Sequence, residues 1–192
     1  MEVFKELPVL LFSDQQGWQA WLEQNNQGSK GLWLKLAKTS SGKTSLSYAE
    51  ALEEALCFGW IDGQKQGYDS EYWLQKFTPR GPRSIWSKVN VAKAEILIKS
   101  NKMQPEGLAA IESAKKDGRW GAAYDSSSTS TVPEDFQNAL NKNPKAKNFF
   151  ETLNRANVYA FCWRVQTAKK PETRKARIEK FIEMLNKGET LH

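Results

Sequence analysis

The segments FGWIDG at residues 58–63 and YWLQKF at residues 72–77 decide the fold of the first half of this chain. Residues 61–63 and 72–77 have the apolar and aromatic content of strands, and Gly67 lies in the polar turn between them. Two short strands joined by a local turn form a hairpin, in which neighbouring strands are antiparallel. We therefore predict that the first half is built on a small antiparallel sheet.

Two further strands and two helices complete the predicted first half. Apolar runs at residues 7–12 and 31–36 favour strands. Each helix begins with a capping box, in which a serine and a residue three positions later exchange hydrogen bonds with backbone amides. The helices and their boxes are 13–25 with Ser13 and Gln16, and 47–57 with Ser47 and Glu50. Residues 1–83 are thus predicted to form an α+β subdomain.

From residue 84 onward the pattern is helical, which predicts an all-helical subdomain over residues 84–192. Ser84 is predicted to cap a first helix that buries Ile85, Val89, Ala92 and Ile96. Prolines suit the first turns of four more helices, at Pro105, Pro133, Pro144 and Pro171. Asn154 caps another, and the buried faces of the last two helices are predicted as Ala156, Tyr159, Ala160 and Trp163, then Ile178, Phe181, Ile182 and Leu185.

The composition is that of a folded, basic protein. A length of 192 residues fits one domain or two small ones, and 40% hydrophobic residues with eight tryptophans exclude disorder. The net charge of +6 favours acidic partners such as phosphates, nucleic acid or an anionic surface. The alternative is an ordinary mixed surface, because 22 acidic residues accompany 28 basic ones.

Location and redox state follow from simple patterns. The amino-terminal residues lack the apolar core of a secretory signal, and no stretch reaches the roughly 18 apolar residues of a membrane span. We therefore expect a cytoplasmic protein. Cys57 and Cys162 each lie among apolar neighbours, which is typical of an inert buried thiol and gives no disulfide framework.

Standard catalytic and metal sites are not predicted. The only histidine is His192, so Ser-His-Asp, Cys-His and histidine-based metal sites are excluded. Neither two distant cysteines nor the scattered carboxylates suit a metal ion. SSGKT at residues 40–44 resembles the end of a phosphate loop but lacks its upstream glycine. We expect no catalytic residues, no metal and no cofactor.

A cationic and aromatic cluster remains, in FTPRGPRSIWSKVN at residues 77–90. Arg80 and Arg83 flank a rigid Gly-Pro turn, and arginine recognises phosphate and carboxylate through a planar fork of donors. We predict that segments 58–63 and 77–88 border one concavity, with Arg80 or Arg83 reaching Asp62. The candidate ligand-binding residues are Trp60, Asp62, Arg80, Arg83, Ser84, Trp86 and Lys88. The alternative is structural, with the tryptophans in the core and Asp62 paired to an arginine.

A second basic group lies around the junction of the last two predicted helices. Its members are Arg155, Arg164, Lys169, Lys170 and Arg174. The alternative to a binding patch is a solvated helix face.

The order of several motifs resembles that of a known family. FGWIDG and FTPRGPRSIWSKVN are followed by Met103-x-Pro-x-Gly-Leu, by Asp117-Gly-Arg-Trp and by TAKKPETR at residues 167–174. This series, over residues 5–188, resembles the bacterial YdeI/OmpD-associated family, also called bacteriocin-protection proteins. The resemblance implies association with an outer-membrane porin and protection against bacteriocins, and it implies no catalytic residues or cofactor. The part that usually defines the family corresponds to about residues 130–188.

Three functions are compatible with these residues. The first is a non-enzymatic cytoplasmic protein that binds an anionic small molecule or protein partner and contributes to bacteriocin protection or envelope stress tolerance. The second is an enzyme acting on an anionic small molecule with Asp62, Arg80, Arg83 and Lys88. The third is a nucleic-acid binder, which a contiguous basic stripe and strong salt dependence would favour. No basic run or reader motif supports the third.

Overall fold

The computed structural model describes residues 2–191, so Met1 and the only histidine, His192, lie outside the described residues. The chain divides into two compact units. The first comprises residues up to Trp86 together with Asn90–Ala122, and the second comprises Ser87–Val89 and the residues from Ala123 onward. The predicted helical subdomain over 84–192 is therefore shared between the two units.

The first unit, an α+β unit, contains the sheet. In chain order its elements are β1 (Val3–Phe4), β2 (Leu7–Leu10), α1 (Gln15–Asn25), β3 (Leu32–Ala37), a short 3-10 turn at Thr39–Ser41, α2 (Tyr48–Cys57), β4 (Trp60–Gly67), β5 (Tyr72–Pro79), α3 (Lys88–Lys99) and α4 (Pro105–Lys116). The predicted hairpin is confirmed as β4 and β5, which pair antiparallel. Gly67, which was predicted in the turn, is the last residue of β4, so the hairpin loop covers residues 68–71.

The sheet is mixed, so the predicted antiparallel arrangement holds for all neighbouring strands but one pair. Its strand order is β1-β2-β3-β5-β4. All neighbours are antiparallel except β2 and β3, which pair in parallel with Val9 opposite Trp33. The reason is the connection, because α1 lies between these two strands in the chain. A strand-helix-strand crossover returns the second strand in the direction of the first, whereas a tight turn reverses it.

The starts of α1 and α2 test the two predicted capping boxes. The Ser47 box is confirmed, since the Glu50 amide donates to the Ser47 hydroxyl and the Ser47 amide donates to the Glu50 carboxylate. The Ser13 box was wrong. Asp14 is the cap instead, and its Oδ1 accepts from the Gly17 amide at 2.9 Å. A carboxylate next to the positive end of the helix is the stronger cap of the two neighbours.

Stacked indole rings form the centre of the first unit. Trp18 lies parallel to Trp21 at 5.4 Å and edge-on to Trp60 at 6.2 Å, and its indole N–H donates to the Ala51 carbonyl at 3.1 Å. Trp18 and Trp60 are almost completely buried. Burying a large aromatic side chain stabilises a fold by about 2–3 kcal/mol. Trp60 is therefore a core residue that joins α1 to the sheet.

Helix α3 differs from its prediction in both start and face. It begins at Lys88, and Ser84 lies outside it. Ile85 precedes the helix, while Val89, Ala92 and Ile96 are exposed. The face it buries carries Asn90, Ala94 and Leu97. The observed buried face is displaced by one residue from the predicted one, which corresponds to a rotation of about 100° around the helix axis.

The regular elements of the second unit, in the described residues, are helices that follow an irregular segment over residues 123–133. These helices are α5 (Glu134–Asn141), α6 (Pro144–Glu151), α7 (Arg155–Gln166) and α8 (Pro171–Asn186). The predicted proline starts of α6 and α8 are confirmed, whereas Pro133 lies one residue before α5 as its cap. The Asn154 cap is also confirmed, with its side chain accepting from the Asn157 amide. Ala156 is exposed, and α7 instead buries Ala160, Phe161, Cys162 and Val165. Within residues 2–191, no helix combines the length and the apolar character that crossing a bilayer requires.

Both cysteines are buried, as predicted. Burial raises the pKa of the Cys57 thiol to about 12, with Glu54 and Glu53 adding to the effect, and burial raises that of Cys162 to about 11. Because the thiolate is the reactive form, we expect iodoacetamide to modify neither cysteine in the folded protein at mildly alkaline pH, and both in urea. Mass spectrometry of peptides checks this. Modification of either residue before unfolding would contradict it.

Candidate functional site

The two segments singled out in the sequence lie side by side where β4 meets the end of β5. Trp60 is opposite Pro79, and the Arg80 amide donates to the Gly59 carbonyl at 2.9 Å. A concavity of about 400 Å³ opens at this point. It is lined by Asn26, Gln27, Phe58, Gly59, Trp60, Pro79, Arg80, Glu106 and Ala110. The predicted adjacency of segments 58–63 and 77–80 is thus confirmed.

A closed turn follows the concavity. The Ser84 amide donates to the Gly81 carbonyl at 2.9 Å, and the Gly81 amide donates to the Ser84 hydroxyl at 3.1 Å. Pro82 and Arg83 form the two corners, and proline at the first corner presets the backbone for such a turn. The Arg83 side chain is exposed and has no hydrogen bond or ion pair with any residue between 2 and 191.

Arg80 and Trp86 form a contact within the fold. The guanidinium carbon of Arg80 lies 3.5 Å from the Trp86 ring centroid, and its Nη1 donates to the Ile85 carbonyl at 3.2 Å. A cation over an indole face is stabilised by the ring quadrupole, more so when it is shielded from water. Trp86 also meets the edge of Trp120 at 4.8 Å and is 1% exposed. Trp60 and Trp86 are therefore core residues, as in the structural alternative.

Arg119 stabilises the turn at Gly81–Ser84, and the sequence did not identify it as a functional or structural residue. Its Nη1 donates to the Ser84 carbonyl at 2.8 Å and its Nη2 to the Ser113 hydroxyl at 3.1 Å. Its Nε lies 2.7 and 2.8 Å from the two Asp117 oxygens. The Arg119 side chain is buried, whereas Asp117 is half exposed. A buried arginine that uses all three nitrogens is a structural clamp on the turn.

Asp62 and Lys88 each have a partner other than the two arginines. The Tyr48 hydroxyl donates to Asp62 Oδ2 at 2.8 Å. Lys88, in the second unit, forms an ion pair with Asp125 at 2.7 Å. Lys88 and the Gln166 amide hold the pKa of the Asp125 carboxyl below its usual value. The expected pairing of Asp62 with Arg80 or Arg83 is replaced by the Tyr48 contact, and a ligand-binding role for the seven candidate residues stays a prediction.

The members of the second basic group make separate contacts, and a binding role for the group stays a prediction. Arg155 donates to the Ser127 and Ser128 carbonyls. Arg174 forms a two-pronged ion pair with Asp135, at 2.6 and 2.8 Å. Lys169 and Lys170 are exposed. Arg164 lines a cavity whose other charged side chains are also cationic.

That cavity, which we call the basic–aromatic pocket, has a volume of about 440 Å³ and lies between α7 and α8. It is lined by Trp163, Arg164, Thr167, Arg177, Lys180, Phe181, Met184 and Leu191. Three of these side chains are cationic and none is acidic. Backbone carbonyls anchor the arginines, with Arg164 Nη1 donating to Ala160 and Arg177 Nη1 donating to Arg164. The signal that the sequence did carry is the three-residue spacing of Arg177 and Lys180 on one helix face.

A larger cavity of about 820 Å³ lies between α5 and α8. Its lining contains both charge signs, with Asp135, Glu179 and Glu183 beside Lys142, Arg174 and Lys175. Arg174 is already neutralised by Asp135, and this ion pair lowers the pKa of the Asp135 carboxyl. The groove therefore has less net attraction for an anion than the basic–aromatic pocket.

Metal ligands do not cluster in the part of the chain that the structure describes. Between residues 2 and 191, no group of three or more histidine, cysteine, aspartate or glutamate side chains could hold an ion.

Two family models match the chain, and the gap between their matches contains the boundary near Ala122 between the two units. Residues 10–110 match the model of a family described as a domain of unknown function, DUF8412. Residues 129–188 match the model described as bacteriocin-protection, YdeI or OmpD-associated. The resemblance noted in the sequence is thus confirmed for the carboxy-terminal part. Searches of curated proteins and of solved structures give no significant match.

Proposed function

Because the chain belongs to the DUF8412 family, matched over more than half its length, and that description names no activity, we propose a function from the geometry. The protein is a non-enzymatic binding protein for a small aromatic anion, held in the basic–aromatic pocket. The observation that supports this most is the lining itself, with Arg164, Arg177 and Lys180 beside Trp163 and Phe181.

The chemistry of the pocket selects the ligand class. Its volume of about 440 Å³ suits a small molecule. Three cations, with no acidic side chain in the lining, attract a phosphate, sulfonate or carboxylate. Arginine can bind such a group through two parallel hydrogen bonds. The indole and phenyl rings favour a flat apolar part on the same ligand. An aryl phosphate or sulfonate combines both features.

Binding is favoured over catalysis by the same residues. The lining contains no carboxylate, imidazole or thiol that could serve as a general base, and its one hydroxyl belongs to Thr167. General acid–base and nucleophilic catalysis require such a group within hydrogen-bond reach of the reacting atom.

We expect naphthyl phosphate to bind this pocket, and removal of one cation to weaken it. A hydrogen bond to a charged group contributes about 1.5–3 kcal/mol, so Lys180→Gln should lower affinity about tenfold or more. Lys175→Gln is the matched control, since Lys175 is an exposed lysine on the same helix that does not line this pocket. Arg83→Ala is a second control, and it should leave affinity unchanged if the anion site is not at the Gly81–Ser84 turn.

Methionine methyl NMR can locate the bound ligand, because the chain has only three methionines and each signal reports on one position. Met184 lines the pocket, whereas Met103 lies in the first unit. Naphthyl phosphate should shift the Met184 signal and leave that of Met103 in place. Inorganic phosphate and naphthol, which each carry half of the recognition chemistry, should bind more weakly. Loss of binding in Arg83→Ala but not in Lys180→Gln would move the anion site to the turn and refute this assignment.

The biological role that we propose follows from the family description. Apart from Leu191, the lining of the pocket lies within the segment that matches the bacteriocin-protection family. We propose that anion binding at this pocket contributes to bacteriocin protection or envelope stress tolerance. Cells that depend on the Lys180→Gln protein should then survive bacteriocin exposure less well than cells with Lys175→Gln at equal protein level. Equal survival of the two strains would show that ligand binding at the pocket does not contribute to bacteriocin protection.

A further inference from the structure

A second cavity lies in the first unit around Glu54. The Glu54 residue is only 8% exposed although it carries an ionisable carboxyl group. It lines a cavity of about 290 Å³, which we call the glutamine pocket. The pocket is formed by Gln15, Gln16, Gln19, Glu54, Lys102 and Gln104. None of these lining residues is apolar, which is unusual because ligand cavities are mostly lined by apolar side chains.

Three glutamine side chains use their amide nitrogens as donors, and their amide oxygens have no donor from the described part of the protein. The Gln15 amide nitrogen donates to Glu54 Oε1 at 2.6 Å, that of Gln19 to Glu23 Oε1 at 3.0 Å, and that of Gln104 to the Lys102 carbonyl at 3.2 Å. Within residues 2–191, no donor is hydrogen-bonded to the three amide oxygens that remain. The pocket therefore offers a carboxylate and several amide oxygens as acceptors for the hydrogen-bond donors of a ligand.

The charges around the pocket select a cation. Glu53 and Glu23 are close enough to disfavour the ionised form of Glu54, while Lys102 acts in the opposite sense. Lys102 is itself paired with Glu53 at 3.0 Å. With Glu54 ionised, three carboxylates and one ammonium group act around the pocket, which leaves a net negative charge. A ligand that both donates hydrogen bonds and carries positive charge satisfies the carboxylate and the amide oxygens together.

We propose that the glutamine pocket binds a small organic cation through a primary ammonium or guanidinium group, with Glu54 as its counter-ion. The cavity is too small for more than a few heavy atoms beyond that group. This site is separate from the basic–aromatic pocket and does not depend on the anion-binding proposal.

The binding should be linked to a proton. Burial raises the pKa of the Glu54 carboxyl above its ordinary value of 4.5, and Glu53 and Glu23 add to the effect against the hydrogen bond from Gln15. A bound cation stabilises the ionised carboxylate, which lowers this pKa. A fraction of Glu54 therefore loses its proton on binding. Affinity should rise as pH increases from about the ordinary glutamate value through the raised pKa of the free protein, and then level off.

Isothermal titration calorimetry with putrescine and agmatine tests the proposal, and butanediol serves as the uncharged analogue. We expect both amines to bind the wild-type protein and butanediol not to bind. Glu54→Gln should lose at least tenfold in affinity while its melting temperature stays equal or rises, because the variant removes a poorly solvated charge. Glu95→Gln is the control, since Glu95 is an exposed carboxylate on α3 outside the pocket.

Calorimetric titrations near the raised pKa of Glu54, repeated in buffers of different ionisation enthalpy, measure the number of protons released on binding. Proton release in the wild-type protein that is absent in Glu54→Gln would support Glu54 as the counter-ion. The proposal is wrong if neither amine binds at millimolar concentration, if butanediol binds as well as putrescine, or if Glu54→Gln and Glu95→Gln bind amine equally.

Discussion

Replacing Arg119 by alanine should lower the unfolding free energy of the first unit by about 3 kcal/mol or more. The substitution leaves the Ser84 carbonyl and the Ser113 hydroxyl without the donor that now reaches each of them. Hydrogen bonds to a charged group contribute about 1.5–3 kcal/mol each, and the buried stem of Arg119 adds a cavity. Urea unfolding followed by tryptophan fluorescence measures this, because seven of the eight tryptophans lie in the first unit.

Two further variants identify the cause of the loss. Arg119→Lys should recover less than half of the stability, because one ammonium group cannot reach three acceptors that a planar guanidinium bridges. Asp117→Asn should cost at most about 1 kcal/mol, since the Asp117 side chain is half exposed and its ion pair is screened by water. If Arg119→Ala melted within a degree or so of the wild type, the turn at Gly81–Ser84 would not depend on this clamp.

The features that sequence could predict are those set by neighbours in the chain. The capping box at Ser47 is predictable because it requires only Glu50 three residues later. The helix start at Pro171 is predictable because the amides of a first helical turn have no helical acceptor, so proline loses no hydrogen bond there. Local rules fail where two neighbours compete. Ser13 and Asp14 both suit a cap, and only the carboxylate takes the position.

The features that sequence could not predict depend on distant residues. Tertiary packing decides that β2 and β3 become neighbours in the sheet, and the intervening α1 then makes the pair parallel. The candidate site shows the same limit. Arg80 and Arg83 look equivalent in the sequence, but Arg80 lies on the Trp86 ring and Arg83 is exposed. The glutamine pocket combines residues from three separated segments, so no local motif marks it.

Helix α4 approaches the end of α2 so closely that only glycine fits at two positions. A Cβ atom at Gly107 would overlap the Cys57 carbonyl oxygen and the Met103 sulfur. A Cβ atom at Gly59 would lie 2.8 Å from the Glu106 carbonyl oxygen, and the φ angle of +70° already favours glycine there. The Gln104 amide also donates to the Cys57 carbonyl at 3.1 Å, which fixes the same approach.

Gly107→Ala should therefore destabilise the first unit by about 3 kcal/mol, the upper part of the usual range for overpacking. The Cys57 oxygen belongs to the backbone, so it cannot move aside as a flexible side chain would. Gly17→Ala is the matched control, because Gly17 is also the third residue of its helix and an added Cβ there meets its nearest neighbours at an ordinary 3.5 Å. That variant should gain up to about 1 kcal/mol from helix propensity. Urea unfolding of both variants measures the contrast, and equal stabilities would show that α4 can shift away from Cys57 without loss.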